Sequence, residues 1–371
     1  MFKVLFLENF LPPYRVKLYN ELAKCFDVTV VCGVKNDKSR NTQWISESKV
    51  AFKYIVLGGI RIGSTGNVSY KYRKIIKEVK YDCIIIGIYS TPMGMSAIRY
   101  LKRKGIPFIL NVDGGFIPPR ESFFKFSIKK YFISKASMWI TSGLMTNPYL
   151  LHYGAKKENI RYYPFSFISA EEIGFIQEYD KEKIRKKLSI KEKRIILFVG
   201  KIISSKGMDY LLDAMTKISN EVGCYIIGGL PDKKYLNQKK KLGLNNVHFA
   251  GFIKPSDLKI YYQMADIFVL PTLSDVWGLV VNEAMMNGLP VITTTSCMAG
   301  LELVKDGLNG YLIEPRNSEQ LAEKIDLLLS KDSLRNTMAQ NNVDLMKDFT
   351  FEHNLKNHID IINEFCEMQK E

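Results

Sequence analysis

A chain of 371 residues is too long for one small core and is a natural length for two α/β domains. Its 46% hydrophobic and 25% charged residues are ordinary globular composition, which excludes a disordered chain. The net charge of +15 is one-sided, with 27 Lys and Arg against 10 Asp and Glu in residues 1–165 and 26 against 28 in residues 166–371, so a polyanionic partner is expected: anionic lipid, a pyrophosphate-bearing acceptor or nucleic acid.

The chain opens directly on a strand-like run, Phe2–Leu7, and meets Glu8, without the longer apolar region of a signal peptide. No apolar run reaches the roughly 18–20 residues of a membrane-spanning helix. A cytoplasmic protein is therefore expected. The six cysteines form no C-x-x-C pair and read as reduced thiols. The four histidines show no metal-binding spacing.

Strand-like runs follow at Val28–Cys32, Phe52–Leu57, Cys83–Ile88, Pro107–Asn111, Met138–Thr141 and Ile160–Tyr163, with helical patterns between them. The runs are continuously apolar, the mark of a parallel sheet covered on both faces. Strand–helix–strand repetition predicts a doubly wound fold. Arg120–Lys135 mixes basic and aromatic residues, with Phe124, Ile128 and Tyr131 on one helical face, and suits either an interfacial helix or an ordinary core-packing one. The rhythm breaks at a mixed-charge stretch, and a second alternating series begins at Arg194–Val199. The expected organisation is a domain over 1–165, a linker over 166–193, a second domain over 194–350 and a closing helix over 351–371 that crosses back to the first.

Two stretches of the second half carry chemistry. Phe198-Val199-Gly200-Lys201 leads through Ser204-Ser205-Lys206 to a helix expected to start near Gly207. A helix N-terminus flanked by two lysines suits a phosphate. Leu270–Pro290 places Asp275 on a loop after a strand and Glu283 eight residues on, about two turns into a helix that ends at Asn287-Gly288. Ligands bind doubly wound sheets at this edge, and two carboxylates there suit vicinal diols.

This string resembles the E-x7-E signature of the family-four retaining glycosyltransferases of GT-B fold. VHFAGF at Val247–Phe252 and the segment Ala299–Gly310 resemble further stretches of that family in order and spacing. The resemblance is strong over about residues 194–315. It implies two Rossmann-like domains facing a cleft, with the second binding a nucleotide sugar and the first an acceptor. Glu283 would hold the ribose diol and Asp275 the hydroxyls of the transferred sugar. Lys201 and Lys206, beside Gly200 and Gly207, would neutralise the leaving diphosphate. Phe252 and Ile253 would sit near the base, and Trp277, Gly278 and Leu279 would offer backbone N–H groups.

Two departures stand out. The family usually has Glu where this chain has Asp275, which puts the donor sugar in question. A His frequent after the fourth strand is replaced by Asn111-Val112-Asp113-Gly114-Gly115, where Asp113 either orients the acceptor hydroxyl or forms a plain Asp-Gly turn. The loop Glu8–Arg15, with two prolines and no glycine, resembles a subgroup that builds capsules and other surface polysaccharides. Tyr162–Ser166 stands at the domain junction, either as lining or as plain linker. The expected catalytic set is Lys201, Lys206, Asp113 and Asp275. The expected partners are a nucleotide sugar (UDP-linked ahead of GDP-linked), a glycan acceptor, free or lipid-linked, and an anionic membrane, with no metal, no cofactor and no nucleic acid. A nucleotide-sugar epimerase of related fold and, further off, a nucleic-acid-binding protein are the alternatives.

Overall fold

The computed structural model describes residues 1–35, 49–62 and 66–370, which divide into two compact units, 1–167 with 351–371, and 168–350. The first unit runs β1 (Lys3–Glu8), α1 (Pro13–Leu22), β2 (Asp27–Cys32), β3 (Lys53–Val56), a hairpin of β4 (Ile60–Ile62) and β5 (Gly66–Val68), α2 (Tyr72–Glu78), β6 (Cys83–Ile86), α3 (Pro92–Arg103), β7 (Ile109–Val112), α4 (Phe123–Ile133), β8 (Met138–Thr141), α5 (Asn147–His152) and β9 (Ile160–Tyr162). Its main sheet is parallel, in the order β3-β2-β1-β6-β7-β8-β9. The apolar runs of β6, β7 and β8 are buried throughout, as central strands covered on both faces must be. The run expected over Phe52–Leu57 is half-exposed instead, because β3 is an edge strand.

The second unit runs α6 (Glu178–Lys187), β10 (Arg194–Val199), α7 (Met208–Met215), β11 (Val222–Ile227), α8 (Lys233–Lys241), β12 (Val247–Gly251), α9 (Pro255–Met264), β13 (Ile267–Leu270), α10 (Leu279–Met286), β14 (Val291–Thr294), α11 (Met298–Leu303), β15 (Gly310–Ile313), α12 (Ser318–Ser330) and α13 (Asp332–Met346). Its six strands are parallel in the order β12-β11-β10-β13-β14-β15. The boundary falls at residue 167, so most of the mixed-charge stretch 166–193 is part of this unit. Some of its charges are held by the fold. Arg185 on α6 donates to the Met264 carbonyl at 2.9 Å and pairs with buried Asp266 at 3.1 Å, and Lys181 donates to the Ala265 carbonyl at 2.9 Å.

The last helix, α14 (Phe351–Glu367), belongs to the first unit and packs on α1 and β6. It buries Phe351, Asn354, His358, Ile361, Ile362, Phe365 and Cys366, a stripe at helical spacing. Asn354 donates to the Ser166 carbonyl at 2.8 Å, and Glu364 pairs with Arg161.

In each unit the strand order reverses beside the first strand: β1 lies between β2 and β6, and β10 between β11 and β13. At such a switch point the loops leaving neighbouring strands diverge and leave a crevice at the C-terminal edge, where doubly wound sheets bind ligands.

Candidate functional site

The crevice of the second unit is made by the loops after β10 and β13. Gly200 closes β10 and donates to the Ile227 carbonyl at 2.9 Å, holding the ends of β10 and β11 level. Lys201 follows, then a single 3-10 turn over Ser204–Lys206. Gly207, at φ +72°, caps α7, and any Cβ there would run into the Pro271 carbonyl, so only glycine lets the two loops touch. They are tied at the same place. Leu273 N–H donates to the Ser205 carbonyl at 2.8 Å, and the Thr272 hydroxyl donates to it at 2.9 Å.

Across this seam the Lys206 ammonium forms an ion pair with Asp275 Oδ2. Asp275 is pinned from the other side, its N–H donating to the Ser296 carbonyl at 2.9 Å and its carbonyl accepting from Met298 at 3.1 Å. The Trp277 indole is buried and donates to Asn282 Oδ1 at 2.9 Å, so its ring is a structural plug. Gly278 caps α10 and accepts from Val281 N–H at 2.8 Å, and the first turn forms the positive end of the helix dipole. About one turn in, not two as the spacing led us to expect, Glu283 accepts a 2.7 Å hydrogen bond from Tyr262 on α9. Burial raises the Glu283 carboxyl above its usual range; the Tyr262 hydroxyl works against this, and the charge of Glu172 adds to it. Phe252 and Ile253 follow β12 and are half-buried.

All the residues expected to hold a donor are thus on the loops and helix starts at the C-terminal edge of the second sheet. Two features escaped the sequence. The partner of Glu283 is Tyr262, which belongs to no motif and stands one helix earlier. The stretch Ala299–Gly310 is most of α11 followed by a self-bonded turn: Asn309 accepts from Lys305 N–H at 2.8 Å and donates to the Leu303 carbonyl at 3.0 Å, while Asp306 accepts from Leu312 N–H at 3.0 Å. Among the described residues no group of three or more His, Cys, Asp or Glu is placed to hold a metal ion.

Asp113 lies in the first unit, just after β7. It pairs with Arg15 at 2.6 Å and accepts from the Tyr163 hydroxyl at 2.7 Å. Arg15 also reaches Glu8 at 3.3 Å. On α4, Phe123 and Phe124 are 84% and 73% exposed, which leaves them free of the core. The helical face read as Phe124, Ile128 and Tyr131 is divided: Ile128 leans on the core, while Phe124 and Tyr131 meet solvent. Lys129 is held by Glu121 at 2.8 Å and Tyr153 at 3.2 Å. Among the described residues no helix is long and apolar enough to cross a membrane.

Anabaena Alr3699/HepE, solved in complex with UDP, superposes over 99% of each chain with a TM-score of 0.75 at 19% identity. That likeness establishes the fold class: this is a GT-B protein, two Rossmann-like α/β domains in one chain. A family model described as glycosyl transferases group 1 matches residues 180–344. An uncharacterized glycosyltransferase of Methanocaldococcus jannaschii is 31% identical over 196 residues, 51% of this chain and 50% of that protein. The chain thus spans about half the length of the first curated relatives it matches. A longer match is the N,N'-diacetylbacillosaminyl-diphospho-undecaprenol alpha-1,3-N-acetylgalactosaminyltransferase of Campylobacter jejuni, 24% identical over 280 residues, 72% of this chain and 73% of that one.

Proposed function

We propose that this protein is a retaining glycosyltransferase that moves a sugar from a nucleotide-diphosphate sugar to a hydroxyl of a glycan acceptor, lipid-linked, in the synthesis of a bacterial surface polysaccharide. The observation that carries the reading is the Lys206–Asp275 pair at the switch point of the second sheet, with Glu283 about one turn into the following helix. The family match over the same residues supports it, as do the UDP in the Anabaena structure and the diphospho-undecaprenol acceptor in the Campylobacter relative's name.

In this reading Glu283 accepts from the ribose diol and Asp275 from hydroxyls of the transferred sugar. Phe252 and Ile253 stand by the base. Trp277, Gly278 and Leu279 present backbone N–H groups to the sugar end. Lys201, Lys206 and the start of α7 meet the diphosphate. As the bond to the anomeric carbon breaks, charge builds on that diphosphate while the sugar becomes oxocarbenium-like. Fixed cations that need no rearrangement stabilise this transition state most. The chemistry therefore needs no metal and no cofactor, and we favour a UDP-sugar over a GDP-sugar. The first unit takes the acceptor, with Asp113 at its hydroxyl. Its excess of basic residues and the exposed Phe123 and Phe124 fit a protein that works at the inner face of the cell membrane.

The direct test is incubation with a panel of UDP- and GDP-sugars, scoring release of free nucleotide and the rise in melting temperature that a ligand of the native state produces. A hexosyl donor should do both. An isomerised nucleotide sugar in place of free nucleotide would identify an epimerase, and no effect of any donor would overturn the reading.

A further inference from the structure

The switch point of the first unit is built differently from that of the second. Where β10 is followed by a glycine turn and two lysines, β1 ends in Glu8 and is followed by a loop with Pro12 and Pro13. Pro13 at the first helical position fixes the start of α1 and swings Arg15 into the crevice. There the guanidinium lies between two carboxylates, Glu8 at 3.3 Å and Asp113 at 2.6 Å. Tyr19 donates to Glu8 at 2.7 Å, and Tyr163 donates to Asp113 at 2.7 Å with Asn111 Oδ1 at 3.1 Å. Gly87, the residue after β6, leaves room for Glu8; a Cβ there would come within 2.8 Å of its carboxylate.

Of this network only Asp113 reaches solvent, its side chain 31% exposed against 6% for Arg15 and 9% for Glu8. Each Asp113 oxygen already takes one hydrogen bond from inside, which orients the carboxylate and leaves acceptor capacity on both oxygens. An incoming anion would meet this carboxylate, and the one guanidinium behind it is already shared between two acids. A hydroxyl meets an acceptor. Beside the network runs an aromatic series: the Tyr163 ring lies 6.1 Å from Phe165, Phe165 lies 6.2 Å from Tyr14, and Tyr14 lies 4.6 Å from Phe167. Tyr14 and Phe167 are half-buried. Apolar walls with a few fixed polar groups are what small-molecule sites are made of.

We propose that this crevice recognises an uncharged, hydroxyl-bearing sugar, with Asp113 the group that touches it and Arg15 and Tyr163 positioning residues that hold Asp113. The proposal rests on the reading of the first unit as the acceptor side, and it commits that side to a neutral sugar at the point of contact, not to a phosphate or a uronate.

The experiment uses the full chain with neutral p-nitrophenyl glycosides (α and β glucoside, galactoside and N-acetylglucosaminide) and the p-nitrophenyl glucuronide, followed by saturation-transfer NMR. At least one neutral glycoside should bind, and the glucuronide at least tenfold more weakly. Asp113→Asn should weaken the neutral glycoside about tenfold and narrow its lead over the glucuronide. Tyr163→Phe, which removes one hydroxyl and keeps the ring, should weaken it about threefold. Arg15→Met should lose binding and Arg15→Lys should recover part of it, a rescue that a merely structural role would not produce. No bound glycoside, a glucuronide bound as well as its neutral counterparts, or Tyr163→Phe and Arg15→Met variants that bind like the parent would each overturn the proposal. UDP binding by the parent is scored separately: its failure removes the donor reading alone, whereas UDP binding without any glycoside binding removes this inference alone.

Discussion

The Tyr262 hydroxyl donates to Glu283 Oε2 at 2.7 Å, joining the helix before β13 to the helix after it. That bond occupies one oxygen of a carboxyl whose burial already favours the neutral form. A diol that takes the remaining oxygen must find it ionised, so the charge on Glu283 is central to donor binding. Glu283→Gln should weaken nucleotide-sugar binding by about 1.5–3 kcal/mol, the range of a charged hydrogen bond. Tyr262→Phe should cost donor binding less, about 0.5–1.5 kcal/mol, because Tyr262 acts only through Glu283 and its loss leaves the carboxylate in place. Calorimetry on the best donor measures both. A Glu283→Gln variant that binds and turns over like the parent would remove this carboxylate from the site.

Lys206 is paired with Asp275 before any donor arrives. A diphosphate must share that cation, so its ground-state contribution is partly offset by weakening the existing pair. The charge on the leaving diphosphate grows during bond cleavage, and there the lysine gains most. Lys206→Ala should therefore depress turnover more than donor affinity. Equal losses in kcat and affinity would indicate uniform binding, and no loss would place the diphosphate elsewhere.

Gly207 holds the two loops in contact, at φ +72° with the Pro271 carbonyl where a Cβ would stand. The left-handed conformation alone costs an alanine roughly 1–2 kcal/mol. Displacing a backbone carbonyl adds about 1–3 kcal/mol more. Gly207→Ala should lower stability by at least about 2 kcal/mol in urea titration and, by parting the loops, lower turnover as well. A stable, fully active variant would show that the seam between Ser205 and Leu273 is not needed to set the site.

Much of this was legible in the sequence because strands and helix caps are local. Continuous runs such as Cys83–Ile86 and Ile267–Leu270, strand-sized and rich in β-branched residues, read as central parallel strands, and the glycines at 207 and 278 mark the helix starts that the structure places there. What could not be read is pairing between distant side chains. Nothing local tells that Tyr262 meets Glu283, or that Arg15 reaches Asp113 across 98 positions of sequence. The charged run around Arg185 resembles a solvated linker by composition, and only the fold shows its guanidinium on Met264 and Asp266.

His358 gives the first unit a pH-dependent stability. It is buried on α14 against the Tyr163 ring, 4.3 Å between centroids, and its Nδ1 donates to the Asn354 carbonyl at 3.0 Å. Burial pushes its pKa down to about 4, opposed by the Asn354 carbonyl, with Arg15 pushing it further down and Asp113 up. The unfolded histidine, near 6.5, binds a proton that the folded one refuses. Stability is then fully present above about pH 6.5 and falls on acidification towards pH 4, by at most about 1.4 kcal/mol per unit and about 3 kcal/mol in all. Glu8, raised by burial, has the opposite sign, its contribution fading as pH rises above the usual carboxyl range. The difference between parent and His358→Gln isolates the histidine. Urea unfolding across this window should show the parent steeper than the variant, and parallel curves would mean that His358 is not buried neutral.

The last prediction concerns the membrane. On α4 the exposed groups are Phe123 and Phe124 at its start, Lys125 and Lys130 along it and Tyr131 beside Lys130, whereas Lys129 is held by Glu121 and Tyr153. Each free lysine near an anionic surface contributes about 1 kcal/mol at modest salt. Lys125→Gln with Lys130→Gln should therefore weaken binding to anionic vesicles by about 2 kcal/mol, and adding Lys129→Gln should bring little further release but lower stability, since it takes the cation from Glu121 and leaves that carboxylate only the Tyr153 hydroxyl. The electrostatic part should fall as salt rises, with screening over about 8 Å at physiological ionic strength. The phenylalanines add a part that salt does not remove, about 1.5–3 kcal/mol for each ring fully buried, and Phe123→Ser with Phe124→Ser should abolish it. Sedimentation with neutral and anionic vesicles at two salt concentrations separates the two parts. A parent protein that ignores anionic vesicles at low salt would assign the basic excess of residues 1–165 to another polyanion and leave the lipid-linked acceptor without its main support.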